Sequence, residues 1–244
     1  MATTGNGNGT GTKIWRITKR VFLILFIAQF VYIFLLKWIN PPVTLTQLGS
    51  WITGHGLKRN YVSASKMSEN AKLAIISSED QLFADHNGFD FKSIGKAMKH
   101  NSKSKSLHGA STISQQTAKN VFLWQGRSWL RKALETYFTF MIELVWGKKR
   151  ILEVYMNVAE MGNGIFGIEA AAQNNFKKPA IRLTQTEAAM IAACLPNPKK
   201  YTIKPVSRPV AIRYPWILRQ MNNLSGDEDL EPIVGEETKE AKGR

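Results

Sequence analysis

An apolar run from Val21 to Leu36 limits the possible folds of this chain more than any other feature, since only Gln29 and Tyr32 interrupt it. With its flanks the run covers residues 14–39, and a helix needs about 20 residues to cross a bilayer. The cations that precede it are Lys13, Arg16, Lys19 and Arg20. The sequence therefore predicts a cytoplasmic basic flank and a transmembrane helix over residues 13–39, with everything after it outside.

A cleaved signal peptide is the rival interpretation of this run. Such a peptide ends in a small-x-small cleavage site. Asn40-Pro41-Pro42 follows the run instead, so we expect the segment to be retained as a membrane anchor.

The charge of the chain is unevenly distributed. The 244 residues carry a formal net charge of +15, but residues 225–244 hold seven acids against three cations, which leaves +19 on residues 1–224. Such a basic surface implies an anionic partner: nucleic acid, anionic lipid or a phosphorylated substrate. The predicted anchor argues against nucleic acid, because it places the basic domain on the side of the membrane that faces away from the cytoplasm.

The composition predicts five regions along the chain. They are a disordered N-terminus over 1–12, the anchor over 13–39, a linker over 40–67, one folded domain over 68–224 and an acidic disordered tail over 225–244. Within the linker, four apolar residues are spaced as in a short amphipathic turn that could lie against the bilayer: Leu45, Leu48, Trp51 and Ile52. The single cysteine, Cys194, lies in an apolar helical pattern and is expected to be buried.

Two adjacent carboxylates, Glu79 and Asp80, follow a predicted helix over 68–78 with one apolar face. The C-terminal end of a helix favours cations, so carboxylates there are poorly placed for stability. A carboxylate whose ionised form is disfavoured in this way suits a general base. The alternative interpretation is a solvated Glu-Asp pair that ends a surface helix.

A second polar stretch runs from Gly109 to Asn120 and begins with the residues of a helix N-cap. Four polar side chains of the helix fall at spacings of three and four, so they share one face: Thr112, Gln115, Gln116 and Lys119. Arg127, Arg131 and Lys132 come soon after. An ordinary solvated face would explain the polarity, but not two carboxamides beside a cluster of cations.

Most of the remaining sequence predicts helices. The longest predicted helix outside the anchor begins after Ser128, the capping pattern Thr184-x-x-Glu187 opens another, and strand patterns are few. The fold class is therefore mainly α, with at most a small β element near the Gly-rich turn over 162–167.

Four motifs in this order and spacing resemble those of the peptidoglycan glycosyltransferases, lysozyme-like enzymes that polymerise lipid II. The motifs are Glu79-Asp80-x-x-Phe83-x-x-His86-x-Gly88, the run from Gly109 to Asn120, Arg131-Lys132-x-x-Glu135 and Lys148-x-x-Ile151-Leu152-x-x-Tyr155-x-Asn157. The resemblance covers roughly residues 60–222. Because the chain leaves no room for a transpeptidase domain, it resembles the monofunctional members. It implies a lysozyme-like domain over 68–224 and a place in the bacterial cytoplasmic membrane.

The resemblance also implies roles for individual residues. Glu79 would be the general base and Glu135 a second catalytic carboxylate. The implied substrate-binding residues are Asp80, Phe83, His86, Ser111, Thr112, Gln115, Gln116, Lys119, Asn120, Arg127, Arg131 and Lys132. Lys119, Arg127 and Arg131 would stabilise the departing pyrophosphate.

The resemblance implies as partners lipid II, the nascent glycan, the membrane and other proteins of cell-wall synthesis. It leaves open a divalent cation, Mg²⁺ or Mn²⁺, bound with the pyrophosphate, although no ligand cluster at metal spacing is visible in the sequence.

Two other functions are compatible with a carboxylate in a helical lobe. One is a lysozyme-like hydrolase that cleaves the same glycan, and the other is a membrane-tethered glycan-binding module. A hydrolase has no pyrophosphate to hold, so it does not require Lys119, Arg127 and Arg131 beside the acid. A binding module leaves Glu79 and the paired glutamines unexplained.

Overall fold

The computed structural model of the protein describes residues 8–102, 109 and 111–235, and the chain divides into two compact units, 1–39 and 40–244. The first unit contains helix α1 (Asn8–Leu35), and its segment Gly11–Leu35 is long and apolar enough to cross a membrane. This confirms the predicted helix. It also shows that residues 8–12 are helical rather than disordered, while residues 1–7 lie outside the described part of the chain.

The second unit is mainly helical, as predicted. Its helices are α2 (Leu45–Ile52), α3 (Glu69–Glu79), α4 (Phe91–Asn101), α5 (Ile113–Phe122), α6 (Trp129–Val145), α7 (Lys148–Val158), α8 (Ile168–Phe176), α9 (Gln185–Cys194), α10 (Arg208–Leu224) and α11 (Glu231–Val234), with 3₁₀ turns at Ala64–Lys66 and Ala180–Arg182. Its strands are β1 (Lys58–Arg59), β2 (Glu160–Gly162) and β3 (Ile165–Phe166).

Side-chain caps define where several of these helices begin. The hydroxyl of Ser68 accepts a hydrogen bond from the amide of Ala71 at the start of α3, and Ser128 caps α6 in the same way. Thr184 and Glu187 form the predicted capping box of α9. The side chains that define these boundaries therefore lie within one turn of each helix start.

The core joins two groups of helices. In the first, α3 packs against α9 and α10, and in the second, α5 packs against α6 and α7. In the first group the buried faces of α3 and α9 are made largely of small and β-branched residues such as Ala74, Ile75 and Ile191, none more than 1% exposed. The second group also buries larger side chains, such as Tyr155 and Met156. Cys194 is also buried in the first group, and burial raises the pKa of its thiol to about 12, so it is an inert core residue as expected.

The small β element is a three-stranded sheet in the order β1-β3-β2, with β1 parallel and β2 antiparallel to β3. Gly164 and Gly167 flank β3 with φ angles of 66° and 86°, a conformation that favours glycine. A Cβ atom at Gly164 would lie 2.1 Å from the carbonyl oxygen of His55, so the turn requires a glycine for space as well.

Residues 40–67, predicted as a linker, belong instead to the second unit. The side chain of Asn157 brackets Val62, accepting from its amide nitrogen at 3.0 Å and donating to its carbonyl at 2.9 Å. The predicted amphipathic turn is helix α2, which begins with a capping box between Thr44 and Gln47. The prediction failed because this segment is stabilised by long-range contacts rather than by its own periodicity.

The acidic tail is also more ordered than predicted. Leu230 and Ile233 are buried, and the ammonium group of Lys72 donates to the carbonyl oxygen of Val234 at 3.1 Å. Residues 225–235 therefore pack as part of the domain, because two apolar side chains offset the unfavourable composition around them. Residues 236–244 lie outside the described part of the chain.

Candidate active site

Glu79 is the last residue of α3, and its carboxylate is held from several directions. Oε1 accepts a hydrogen bond from the hydroxyl of Ser78 at 3.0 Å, and Oε2 accepts one from Nε2 of Gln116 at 3.0 Å. Nη2 of Arg213 lies 3.6 Å from Oε1. The side chain is 14% exposed, so Glu79 is a largely desolvated carboxylate and not the solvated end of a surface helix.

Asp80 joins the end of α3 to the beginning of α5. Its Oδ2 accepts a hydrogen bond from the backbone amide of Ile113, the first residue of α5, at 2.9 Å. Nε2 of His86 lies 2.9 Å from Oδ1 of Asp80, and Nδ1 of His86 accepts from the amide of Gly88 at 3.1 Å. The proton of His86 must therefore be on Nε2, where it is donated to Asp80.

Phe83 and Lys148 support the loop that follows α3. Phe83 is fully buried, and the Lys148 ammonium lies 4.7 Å from the centre of its ring. The same ammonium donates to the carbonyl oxygen of His86 at 2.5 Å and pairs with Glu143 at 2.7 Å. Phe83 and His86, implied by resemblance to bind substrate, thus make contacts within the fold.

The polar face predicted on α5 divides into two parts. Thr112 and Gln115 form a capping box and are only 3% and 4% exposed. The Thr112 hydroxyl also donates to the carbonyl oxygen of Gly88 at 2.7 Å. Gln116 and Lys119 are half-buried, and it is Gln116 that reaches Glu79.

Tyr155 completes this contact from α7. Its hydroxyl donates to Oε1 of Gln116 at 3.2 Å, while Nε2 of the same amide faces Glu79. Burial raises the pKa of Tyr155 well above its ordinary value, and the negative charges of Glu79 and Asp80 raise it further. Tyr155 therefore remains a neutral hydrogen-bond donor.

Glu135 is buried on α6 and binds two cations. It is 3% exposed, and its oxygens lie 2.6 Å from Nη1 of Arg131 and 2.5 Å from Nζ of Lys132. Nε of Arg131 is buried without a hydrogen-bond partner among the residues described. Arg131 and Glu135 are four residues apart, the spacing at which side chains pair along a helix. Because this pair is buried, removal of one partner would leave an unpaired buried charge, which is not true of an exposed helix salt bridge.

Lys119 lies close enough to this group for their charges to interact. Burial lowers the pKa of the Lys119 ammonium below its ordinary value of 10.5. Glu135 opposes this effect, Arg131 and Lys132 add to it, and Glu79 opposes it weakly. A cluster of three cations around one carboxylate has a surplus of positive charge, which suits an anionic ligand.

Two cavities adjoin these residues. Glu79 lines a cavity of about 360 Å³ together with Asp80, Ser111 and Thr112. A second cavity, of about 580 Å³, is lined by polar residues that include Gln116, Lys119, Asn120, Tyr155 and Lys199. The Glu79–Gln116 hydrogen bond therefore links a residue of one cavity to a residue of the other.

Arg127, the remaining cation expected at the site, is exposed on the segment before α6.

Sequence reasoning missed Arg213, and it missed the contact made by Tyr155, which stands in the fourth motif but is not among the expected site residues. Arg213 lies 135 positions after Ser78, and only the packing of α10 on α3 brings it to Glu79. The sequence offers one indication of this contact, an arginine in a helix whose other residues are expected to pack against the domain.

Within the described ranges, no three His, Cys, Asp or Glu residues come together in a group that could hold a metal ion.

Comparison with known proteins shows the family. Residues 46–222 match the family model described as "Transglycosylase". A protein of Haemophilus influenzae is 48% identical over 221 residues, which cover 87% of this chain and 90% of the relative. One of Pseudomonas aeruginosa is 46% identical over 89% of this chain and 97% of its own, and one of Mannheimia succiniciproducens is 56% identical over 68% of both. All three are named "Biosynthetic peptidoglycan transglycosylase". The chain therefore belongs to the transglycosylase family, the membership that its four sequence motifs predict.

Proposed function

We propose that this peptidoglycan glycosyltransferase uses lipid II as its substrate, extends linear glycan strands with inversion at the anomeric carbon and releases undecaprenyl pyrophosphate. The observation that carries the proposal is the placement of Glu79. Its carboxylate is 14% exposed, lines a cavity and is bonded to Gln116, a residue of the cavity that contains Lys119.

Glu79 acts as the general base. It removes the proton from the 4-hydroxyl of the acceptor sugar, whose oxygen then forms a bond to the anomeric carbon of the donor. The bond from that carbon to the pyrophosphate oxygen breaks on the opposite face, so an α linkage becomes β. Oε2 of Glu79 accepts one hydrogen bond, from Gln116, and a carboxylate oxygen has a second lone pair to receive the proton.

The cation cluster of Lys119, Arg131 and Lys132 stabilises the pyrophosphate as it departs, and the exposed Arg127, four residues before Arg131, adds a further cation for it. Negative charge on the leaving group increases in the transition state, so cations fixed in advance lower the barrier. Because Lys119 and Glu79 line different cavities, a donor sugar between them would have its leaving group and its attacked face on opposite sides, as inversion requires.

Glu135 serves this cluster by orienting its cations. It binds Arg131 and Lys132 through separate oxygens, which prevents the two side chains from turning away. Without a buried carboxylate between them, these positive charges would repel one another. This is the role that we propose for the second catalytic carboxylate.

The remaining motif residues divide by their contacts. Asp80, Phe83, His86, Thr112 and Gln115 hold the ends of α3 and α5 in place through bonds and packing within the fold. Ser111, Gln116 and Asn120 line the cavities, where their polar atoms can contact sugar hydroxyls and phosphate oxygens.

Membrane association follows from α1, and we propose that it is a single retained span with its N-terminus in the bacterial cytoplasm. The cations before the apolar run support this orientation. In the second unit, α2 exposes apolar residues, among them Trp51 (64%) and Ile52 (70%). Both features suit an enzyme whose substrate is held in the same bilayer by a lipid tail.

Incubation of the detergent-solubilised full-length protein with labelled lipid II tests the proposal. The expected products are linear glycan polymer and undecaprenyl pyrophosphate. A parallel reaction with purified sacculi separates the alternative activity, because a hydrolase would release soluble muropeptides. Muropeptide release without polymer formation would contradict the proposal.

A further inference from the structure

We propose that Arg213 is a positioning residue for the reaction, one that orients the Glu79 carboxylate. The inference rests on the proposed role of Glu79 as the general base. It extends that role to α10, a helix that contributes to neither the capping box of α5 nor the cation cluster.

The guanidinium of Arg213 is held against the end of α3. Its Nη2 atom donates to the carbonyl oxygen of Ser78 and to the Ser78 hydroxyl, each at 3.1 Å, and lies 3.6 Å from Oε1 of Glu79. On its other side, the guanidinium carbon lies 5.7 Å from the centre of the Trp216 ring. A cation at this position also interacts favourably with the C-terminal end of α3.

Ser78 transmits the effect of Arg213 to Glu79. A hydroxyl has one hydrogen to donate and lone pairs to accept. Because Arg213 donates to the Ser78 oxygen, the Ser78 hydrogen must point to an acceptor elsewhere. Oε1 of Glu79 lies at 3.0 Å, whereas the other acceptor in range, the carbonyl oxygen of Ala192, lies at 3.4 Å. Arg213 thereby directs the Ser78 hydroxyl toward the carboxylate.

The carboxylate is consequently fixed through both oxygens. Ser78 and Arg213 engage Oε1, and Gln116 engages Oε2. A base that is oriented before the acceptor arrives does not lose rotational freedom during the reaction, which lowers the barrier.

Arg213 also places a positive charge beside Glu79. The other charged or titratable groups near Glu79 are Lys119 from α5, Tyr155 from α7 and the adjacent Asp80. Arg213 is the cation that forms an ion pair with this carboxylate among the described residues.

The Nε atom of Arg213 supports this interpretation. It is buried and has no hydrogen-bond partner within the described part of the chain. Leaving a buried N–H unpaired is unfavourable. The guanidinium therefore occupies a position that satisfies Ser78 and Glu79 at the expense of its own hydrogen bonding.

The test compares Arg213→Met, Arg213→Lys and the control Arg219→Met in polymerisation of labelled lipid II. Arg219 is on the same helix and lines the same 550 Å³ cavity as Arg213, but it is exposed. We expect Arg213→Met to lower kcat about tenfold with KM changed by less than about twofold, because the base is less well oriented while the substrate contacts remain. Arg213→Lys should restore part of kcat, and Arg219→Met should resemble the wild type.

An unchanged kcat in Arg213→Met, an increase in KM alone or an equal effect of Arg219→Met would overturn the inference. If Arg213→Met does not fold, Arg213→Lys and Ser78→Ala provide the test, and Ser78→Ala should lower kcat with KM little changed. Wild-type kcat in all of these variants, together with an inactive Glu79→Gln, would reject the role of Arg213 alone. An active Glu79→Gln would instead reject the proposed function.

Discussion

Gln116 donates a hydrogen bond to Oε2 of Glu79 across 3.0 Å, so the amide of one motif is directed at the carboxylate of another. A carboxylate only accepts, and therefore the nitrogen end of the amide must face Glu79. The oxygen end then accepts from the hydroxyl of Tyr155 at 3.2 Å. Three helices thus contribute one chain of hydrogen bonds that ends on the proposed base.

The first prediction concerns the far end of this chain. Tyr155→Phe removes the hydroxyl that orients the amide of Gln116 but keeps the ring in the core. Since one hydrogen bond contributes about 0.5–1.5 kcal/mol, we expect turnover of lipid II to fall about 2- to 13-fold. Tyr214→Phe, on α10, is the matched control and should leave turnover unchanged. Equal rates for Tyr155→Phe and the wild type would show that the Gln116 amide keeps its orientation without the Tyr155 hydroxyl.

The second prediction concerns pH and Lys119. Burial lowers the pKa of this ammonium below 10.5, so it loses its proton at a lower pH than an exposed lysine does. If the positive charge is required, kcat/KM should fall on the alkaline side as pH rises through that lowered pKa. Lys119→Arg should move the alkaline limb to higher pH, because arginine stays protonated, and Lys119→Ala should lose about 10²–10³-fold at neutral pH. If the alkaline limb of Lys119→Arg lies at the same pH as that of the wild type, the limb reports the titration of another group.

Features that depend on neighbouring residues could be predicted from the sequence. The capping patterns at Ser128 and Thr184 predict the observed helix starts, and the break in apolar spacing at Glu79 coincides with the end of α3. The apolar run likewise predicts a helix that is observed as α1. In each case the controlling atoms lie within about one turn of the residue concerned.

Features that depend on tertiary packing could not be predicted. Arg213 meets Glu79 only because α10 packs on α3, and Val62 is held in the domain by Asn157, which lies 95 positions away. The motif pattern also gives Thr112 the same status as Gln116, although the first caps α5 and the second reaches the base. Spacing identifies residues that share a face, but it does not identify what lies opposite that face.

The third prediction concerns the turn before β3. Gly164→Ala should destabilise the domain by about 2 kcal/mol or more, since φ is 66° and the new Cβ would lie 2.1 Å from the carbonyl oxygen of His55. The control is Gly95→Ala on α4, where nothing lies within 4 Å of the new Cβ atom and alanine should stabilise by about 0.5–1 kcal/mol. Denaturant unfolding of the detergent-solubilised protein, followed by tryptophan fluorescence, measures both changes. Equal stabilities of Gly164→Ala and the wild type would show that the turn can accommodate the added Cβ atom.

The fourth prediction concerns the anchor. If α1 is retained, mass spectrometry of protein extracted from membranes should recover peptides from residues 13–39. Protease added outside spheroplasts should digest the unit over 40–244 and leave a protected N-terminal fragment. A mature form that begins after residue 35, or a second unit that resists external protease, would contradict the proposed topology.

Replacement of Glu79 by glutamine tests the central claim most directly. Glutamine is nearly isosteric but does not take up a proton at neutral pH, so Glu79→Gln should fold normally and lose at least about 10²–10⁴-fold in polymerisation of labelled lipid II. Glu228→Gln, which is exposed beyond α10, is the control and should retain full activity. Circular dichroism and the thermal unfolding midpoint should match those of the wild type. Wild-type polymerisation by a normally folded Glu79→Gln protein would contradict the assignment of Glu79 as the base.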